Sequence, residues 1–260
     1  MPRIPRIVIL DNDQTTGDYI ALFYWLDWLK KSDLQKYVTL QALVTPFSRI
    51  CEDANIFRPG LRTMIRRILE MKEEGLLDYV VVYTNQSEPE PLMVGKDGHP
   101  ITIPRLLEAF YNNLADGATL IDLTLVRPHE YDFSPSFAPK QFSRVFTELG
   151  ITRRHWNARY TKFFDDAPEK YILDNDVIGA GRAHIRVEAY YACIDASVLL
   201  ELCLETLKVA DQNGAKKGEL TLAIRNIHDL LLKYRQEEMQ SCRLSGRSLG
   251  RYLDFLNLDY

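Results

Sequence analysis

Two short, almost uninterrupted apolar runs, Arg6–Leu10 (RIVIL) and Tyr79–Tyr83 (YVVVY), are the strongest constraint on how this chain folds. A strand that is apolar at nearly every position must be covered on both faces, which is the situation of a parallel strand between helices. Further strand-like runs fall at Thr119–Val126 (TLIDLTLV), Tyr160–Phe164 (YTKFF) and His184–Ala189 (HIRVEA). Tyr37–Val44 (YVTLQALV) reads either as a strand or as part of a helix. Longer amphipathic segments alternate with these runs. Asp18–Lys31 spaces Ile20, Phe23, Tyr24, Leu26 and Leu29 helically, and Pro59–Glu74, Pro104–Leu114 and Pro139–Leu149 each begin at a proline suited to a first helical turn. The alternation predicts an α/β fold with a central parallel sheet. Two long helices, Asp195–Ala210 and Glu219–Met239, follow as a C-terminal extension, joined by the polar loop Asp211–Gly218. This divides the chain into a core over 1–192, with insertions near 32–57 and 86–118, and a helical extension over 193–260 packed on it.

Composition excludes several classes. A net charge of −4 and a pI near 5.8 argue against a surface built to hold nucleic acid through its phosphates. The four cysteines show neither CxxC nor Cys/His zinc spacing, the pattern of free thiols in a reducing compartment. No apolar run approaches the roughly 18 residues of a membrane span, and the start MPRIPRIVIL enters a strand directly rather than a signal peptide. The expectation is a soluble, intracellular protein of the cytoplasm or nucleus, without membrane partners. Gln86–His99, polar and punctuated by Pro and Gly, is expected to be a surface loop after a strand end.

In an open parallel sheet, ligands bind beyond the carboxyl ends of the strands. Asp11-Asn12-Asp13-Gln14-Thr15 follows the first run, Thr84-Asn85 the second and Asp165-Asp166 the fourth. Alternation along an extended chain puts Asp11 and Asp13 on one side. Four carboxylates brought together suit Mg²⁺, a hard cation that takes oxygen ligands. A carboxylate also suits attack on phosphorus, with a second carboxyl as acid and base. The plain alternative for Asp11 and Asp13 is a strand-ending turn with solvated acids. The pentapeptide ILDND recurs at Ile172–Asp176, but there it follows Glu169 and Lys170 and has Ile178 at the threonine position, so the nucleophile is expected in the first copy. The basic cluster around His155 (RRHWNAR) reads as a solvated loop, and His184 as structural.

Asp11, Asp13 and Thr15 as DxDxT, then Arg58-Pro59-Gly60-Leu61, the VVVYTN of Val80–Asn85 and the FFDDAP of Phe163–Pro168 resemble, in that order, the haloacid dehalogenase superfamily of phosphohydrolases. The likeness spans roughly residues 6–190. Within that superfamily the set is similar to the C-terminal-domain phosphatase-like (NLI-interacting-factor-like) branch, which acts on phosphoserine and phosphothreonine in proteins. The resemblance implies a Rossmann-like three-layer sandwich and a Mg²⁺-dependent phosphomonoester hydrolase. It implies Asp11 as nucleophile, Asp13 as general acid/base, and Thr84 with Asn85 against the phosphoryl group. Asp11, Asp13 (by its backbone carbonyl), Asp165 and Asp166 would form the metal site. A lysine is required to offset phosphoryl charge: Lys140, placed at a helix start, is the first choice and Lys162 the second. Asn12 and Gln14 stand where that branch has leucine and glutamate, and DDAP replaces DDSP. A phosphoprotein is therefore one substrate class and a small-molecule or nucleotide phosphomonoester another. A catalytically weak binding or scaffold protein on the same core is the alternative of a different kind.

Overall fold

A computed structural model describes residues 3–86, 92–115, 118–127, 140–152, 155–168, 172–173, 183–192 and 194–238. Its centre is a five-stranded, fully parallel sheet in the order β3-β2-β1-β5-β7, built from β1 (Ile7–Leu10), β2 (Tyr79–Tyr83), β3 (Leu123–Leu125), β5 (Thr161–Asp165) and β7 (His184–Arg186). A separate parallel ribbon pairs β4 (Lys140–Gln141) with β6 (Ile172–Leu173), Lys140 opposite Ile172 and Gln141 opposite Leu173. The helices are α1 (Ile20–Lys31), α2 (Leu40–Asp53), α3 (Leu61–Glu73), α4 (Ile103–Leu114), α5 (Phe142–Glu148), α6 (Ala196–Gln212) and α7 (Lys217–Glu238). The protein is thus of the α/β class, as the alternating pattern predicts.

Strand alternation sorts the core into two unequal layers. Val8, Leu10, Val80, Val82 and Phe164 point into a large cluster shared with α1–α4, α6 and α7. Ile7, Ile9, Val81, Tyr83 and Phe163 point the other way, where Phe142, Val145 and Phe146 of α5 cover them with Trp156. This explains why β1 and β2 read as unbroken apolar runs: both faces are buried.

Several boundaries differ from expectation for identifiable reasons. Residues 40–53 are helix, settling the ambiguity of YVTLQALV. Thr39 caps α2 by accepting from Ala42 N at 3.1 Å, and Leu43, Val44, Phe47, Ile50 and Cys51 form a buried helical stripe despite Pro46. β3 is confined to Leu123–Leu125 because Asn112 Oδ1 accepts from the amides of Leu120 and Ile121, which takes them out of the ladder. The fourth run starts one residue late, since Tyr160 ends a 3₁₀ turn, so Asp165 is the last residue of β5. α5 begins at Phe142, and Lys140 sits in β4 rather than at a helix start; Pro139 lies outside the described residues. Pro59 precedes the N-cap Gly60 of α3, whose φ of 86° favours glycine. Within Gln86–His99, Met93 is buried in the large core rather than on the surface, while residues 87–91 lie outside the described residues. Cys51 and Cys203 are buried free thiols. Among the described residues no helix is long and apolar enough to cross a membrane.

The two C-terminal helices dock on the rest of the chain through tryptophans. Trp25 Nε1 donates to Thr206 Oγ1 at 3.0 Å and Trp28 Nε1 to the Ala223 carbonyl at 3.0 Å, all buried. Tyr234 Oη donates to the Ile194 carbonyl at 3.1 Å. Replacing a large buried aromatic by alanine costs about 3–5 kcal/mol. Trp28→Ala should therefore lower unfolding stability by that order in urea titrations, with α6 and α7 unfolding in the same transition as the sheet.

Candidate active site

β1 is central, and the chain leaves it for β2 and β3 on one side before returning to β5 on the other. That reversal opens a crevice at the carboxyl ends of β1, β2 and β5. The segments following these strands are the ones singled out in the sequence, and they meet in a cleft of about 490 Å³ lined by Asp11, Asp13, Asn85, Lys140, Asp165 and Asp166 among others.

The loop after β1 is held from beneath and behind. Asp11 N continues the ladder to Phe164 O at 2.9 Å. The Asn12 carbonyl then accepts from Thr15 N, Thr16 N and Thr16 Oγ1, which turns the chain sharply. Gln14 takes a φ of 58°, uncommon for a residue with a side chain. Tyr190 N holds it by donating to its carbonyl at 2.8 Å. Gly17 is required by space, since a Cβ there would lie 2.7 Å from both Ile56 O and the Tyr19 ring. Arg58, almost wholly buried, joins Thr15 O (3.3 Å) to Glu188 O (2.7 Å) and so ties this loop to the chain beyond β7. Below it, Tyr111 Oη lies 3.2 Å from Asn12 Oδ1 and 3.0 Å from Thr16 Oγ1.

Lys140 is the electrostatic centre. Its Nζ lies 2.7 Å from Asp11 Oδ1 and 2.7 Å from Asp165 Oδ2, with all three side chains buried. Asp165 Oδ1 accepts from Ala167 N at 2.7 Å. Thr15 Oγ1 lies 3.4 Å from Asp11 Oδ2 and 3.1 Å from Asp166 Oδ1, and accepts from Asp166 N. Asp13 stands apart from the lysine and takes a 2.8 Å hydrogen bond from Gln86 Nε2 on Oδ1. Thr84 is fully buried, its Oγ1 accepting from Gln86 N, so that Asn85 rather than Thr84 lines the cleft at the end of β2. Lys162, the second choice for the cation, lies inside β5 and is not among the described residues lining the cleft.

Burial shapes the titration of this cluster. It would lower the Lys140 pKa, but Asp11 and Asp165 more than reverse this and hold the ammonium firmly charged. Burial raises Asp11, a shift that Lys140 opposes and that Asp165 and Asp166 reinforce. Burial likewise raises Asp166, helped by Asp165, and brings Asp13 up to about 6. One ammonium thus faces more carboxylates than it can neutralise, and buried excess charge is costly. The Asp11, Asp165 and Asp166 oxygens lie within 4.8 Å of one another, a hard-oxygen donor set that fits Mg²⁺.

Gln86 carries a contact that the strand-end reasoning left out of the site, and Thr15, named there only as part of the motif, bonds both Asp11 and Asp166. Gln86 was findable, since it stands two residues after Thr84, the same alternation that pairs Asp11 with Asp13. Among the described residues its Oε1 has no hydrogen-bond partner, a cost of about 1–3 kcal/mol for a buried acceptor. Asp174 and Asp176 of the second ILDND lie outside the described residues, as do Arg153 and Arg154, while His155 is exposed and bonds Thr152. His184 is buried in β7.

Fold and site together define an α/β protein with an acidic, lysine-bridged cleft at the carboxyl edge of its sheet. No family model, curated protein or solved structure matches the chain.

The raised pKa of Asp13 has a measurable consequence. A carboxylate whose pKa rises on folding binds its proton more tightly in the folded state. The associated stability is complete below about pH 3.8 and is lost as pH climbs through about 6. Asp13→Asn removes that loss while its amide oxygen still accepts from Gln86. In chelator-treated protein it should raise stability at pH 7.5 by up to about 3 kcal/mol. At pH 4.5 the gain should fall to about 1 kcal/mol; thermal melts at the two pH values check this.

Proposed function

We propose that this protein is a Mg²⁺-dependent phosphomonoester hydrolase of the haloacid dehalogenase type, working through an aspartyl-phosphate on Asp11. The observation that carries the reading is Lys140 bridging Asp11 and Asp165 at 2.7 Å on each side, with Asp13 two residues on and outside that bridge. A carboxylate meant to attack phosphorus needs a fixed cation beside it to receive the incoming phosphoryl oxygens, and an acid held separately for the leaving group.

In the first half-reaction an Asp11 carboxylate oxygen bonds to phosphorus as the bond from phosphorus to the leaving oxygen breaks. That oxygen takes the proton of Asp13. In the second, Asp13 removes a proton from water, whose oxygen bonds to phosphorus as the bond to Asp11 breaks, releasing phosphate and restoring the carboxylate. The upward shift of Asp13 to about 6 suits a group that must hold a proton in one step and accept one in the next. Lys140 stabilises charge on the transferring group, Asp165 and Ala167 N keep it oriented, and Asn85 lies where the phosphoryl oxygens would be contacted. Asp11, Asp165, Asp166 and the backbone carbonyl of Asp13 would hold Mg²⁺. When bound, it would neutralise phosphoryl charge. The sequence likeness points to a phosphoserine or phosphothreonine protein as one substrate class, a small phosphomonoester is the other, and an intracellular location accords with either.

Hydrolysis of 4-nitrophenyl phosphate should require Mg²⁺, stop with excess EDTA, and fall to background in Asp11→Asn. Equal rates in all three conditions would sink the mechanism and leave a binding or scaffold protein. Lys140→Ala should reduce kcat by about 10²–10³, the loss typical of one preorganised charge-stabilising group. Asp174→Asn, in the second ILDND, should retain most of the turnover.

A further inference from the structure

The cleft carries more than its acids. Ile20 (49% exposed), Phe23 (47%) and Tyr191 (41%) line it, an apolar rim on a site whose floor is strongly charged. Phe23 also lines a second pocket of about 290 Å³, together with Leu26, Gln86, Met93, Ile101 and Ile103. Asp27 and Lys30 add one charge of each sign to that pocket. The two spaces lie side by side. Phe23 belongs to both, and Gln86 in the second pocket is hydrogen-bonded at 2.8 Å to Asp13 in the first. Gln86 is almost wholly buried, and its Oε1 accepts no hydrogen bond from the described residues.

Charge narrows what can enter. Asp11, Asp13, Asp18, Asp165 and Asp166 line the cleft, and among the described lining residues Lys140 is the one cation, already shared between two acids. Within the cleft a second phosphate meets net negative charge, an arrangement that rejects by repulsion, and the lysine lining the second pocket, Lys30, is accompanied there by Asp27. A sugar body would leave most of its hydroxyls against Phe23, Leu26, Met93, Ile101 and Ile103, where they lose water, with polar side chains in the lining only at Asp27, Lys30, Gln86 and Thr102. An apolar body instead removes these side chains from water.

We infer that the pocket beside the acidic cleft is a leaving-group subsite, selecting small monophosphate esters with a compact apolar body over nucleotides and sugar phosphates. The inference rests on the phosphatase reading of the cleft and names its substrate class. Phe23 is the wall common to both spaces. Gln86 stands between them, hydrogen-bonded to Asp13.

The test compares primary alkyl esters, whose leaving alcohols differ little in acidity, so that intrinsic reactivity does not imitate recognition. With Mg²⁺, kcat/KM for 2-phenylethyl phosphate should exceed that for ethyl phosphate, glucose 6-phosphate and AMP by at least tenfold, with ADP poorer still. In Phe23→Ala the advantage of 2-phenylethyl over ethyl phosphate should shrink at least fivefold, chiefly through KM. Equal efficiency for 2-phenylethyl and ethyl phosphate, or a preference for AMP or a phosphoserine peptide, overturns the subsite while leaving the phosphatase reading intact. If no ester is hydrolysed, that reading fails, and binding of 2-phenylethyl phosphonate decides the pocket by itself. Saturable binding weakened in Phe23→Ala supports it, and absence of binding overturns it.

Discussion

A buried ammonium between two buried carboxylates governs the rest of the site. Lys140 is fixed by Asp11 from the central strand and Asp165 from its neighbour, so three segments distant in sequence share one charge balance. Pairs of this kind contribute little to net stability, because desolvation offsets most of the attraction, while losing one partner strands the other in a poor medium. Their value lies in specification: the ammonium can sit there in one position, and it defines where an anion would be received. Around it the protein carries an excess of acids that stability alone does not explain. Such excess supports the proposal of a site shaped for something that binds.

The arrangement depends on the sheet in a simple way. β1, β2 and β5 end at nearly the same level, since their parallel registers align Leu10 with Val82 and with Phe164. Residues just beyond these ends are therefore neighbours whatever their separation in the chain. The turn at Asn12–Gly17 converts that proximity into orientation. It is clamped by Arg58 and Tyr190, and shaped by a positive φ at Gln14 and a position where only glycine fits.

Much of this was legible in the sequence because it follows from periodicity. Runs apolar at every position announced buried parallel strands, and the strand-end rule placed Asp11, Asp13, Asn85, Asp165 and Asp166 on one edge. What escaped depends on partners far along the chain. Helix α2 hid behind Pro46 and β-branched residues, because burial of Phe47 and Ile50 outweighs a propensity that local inspection weighs more heavily. The role of Arg58 rests on carbonyls 43 and 130 residues away. Lys140, the first-choice cation, lies in the cleft but on a strand rather than at a helix start, since a two-residue strand pair leaves no periodic trace.

That strand pair gives the second ILDND a part after all. Its Ile172 and Leu173 supply the backbone edge on which Lys140 and Gln141 lie, outside the central sheet. The lysine therefore arrives on a ribbon of its own, and the ion pairs hold the ribbon as much as the ribbon holds them. A cation that takes the Asp11 and Asp165 oxygens bound by Lys140 would compete with it for them. By reciprocity of linked equilibria, how tightly the cation binds and how firmly the ribbon is seated are then one quantity measured from two ends. Residues remote from the acids could tune that quantity through the ribbon's backbone alone.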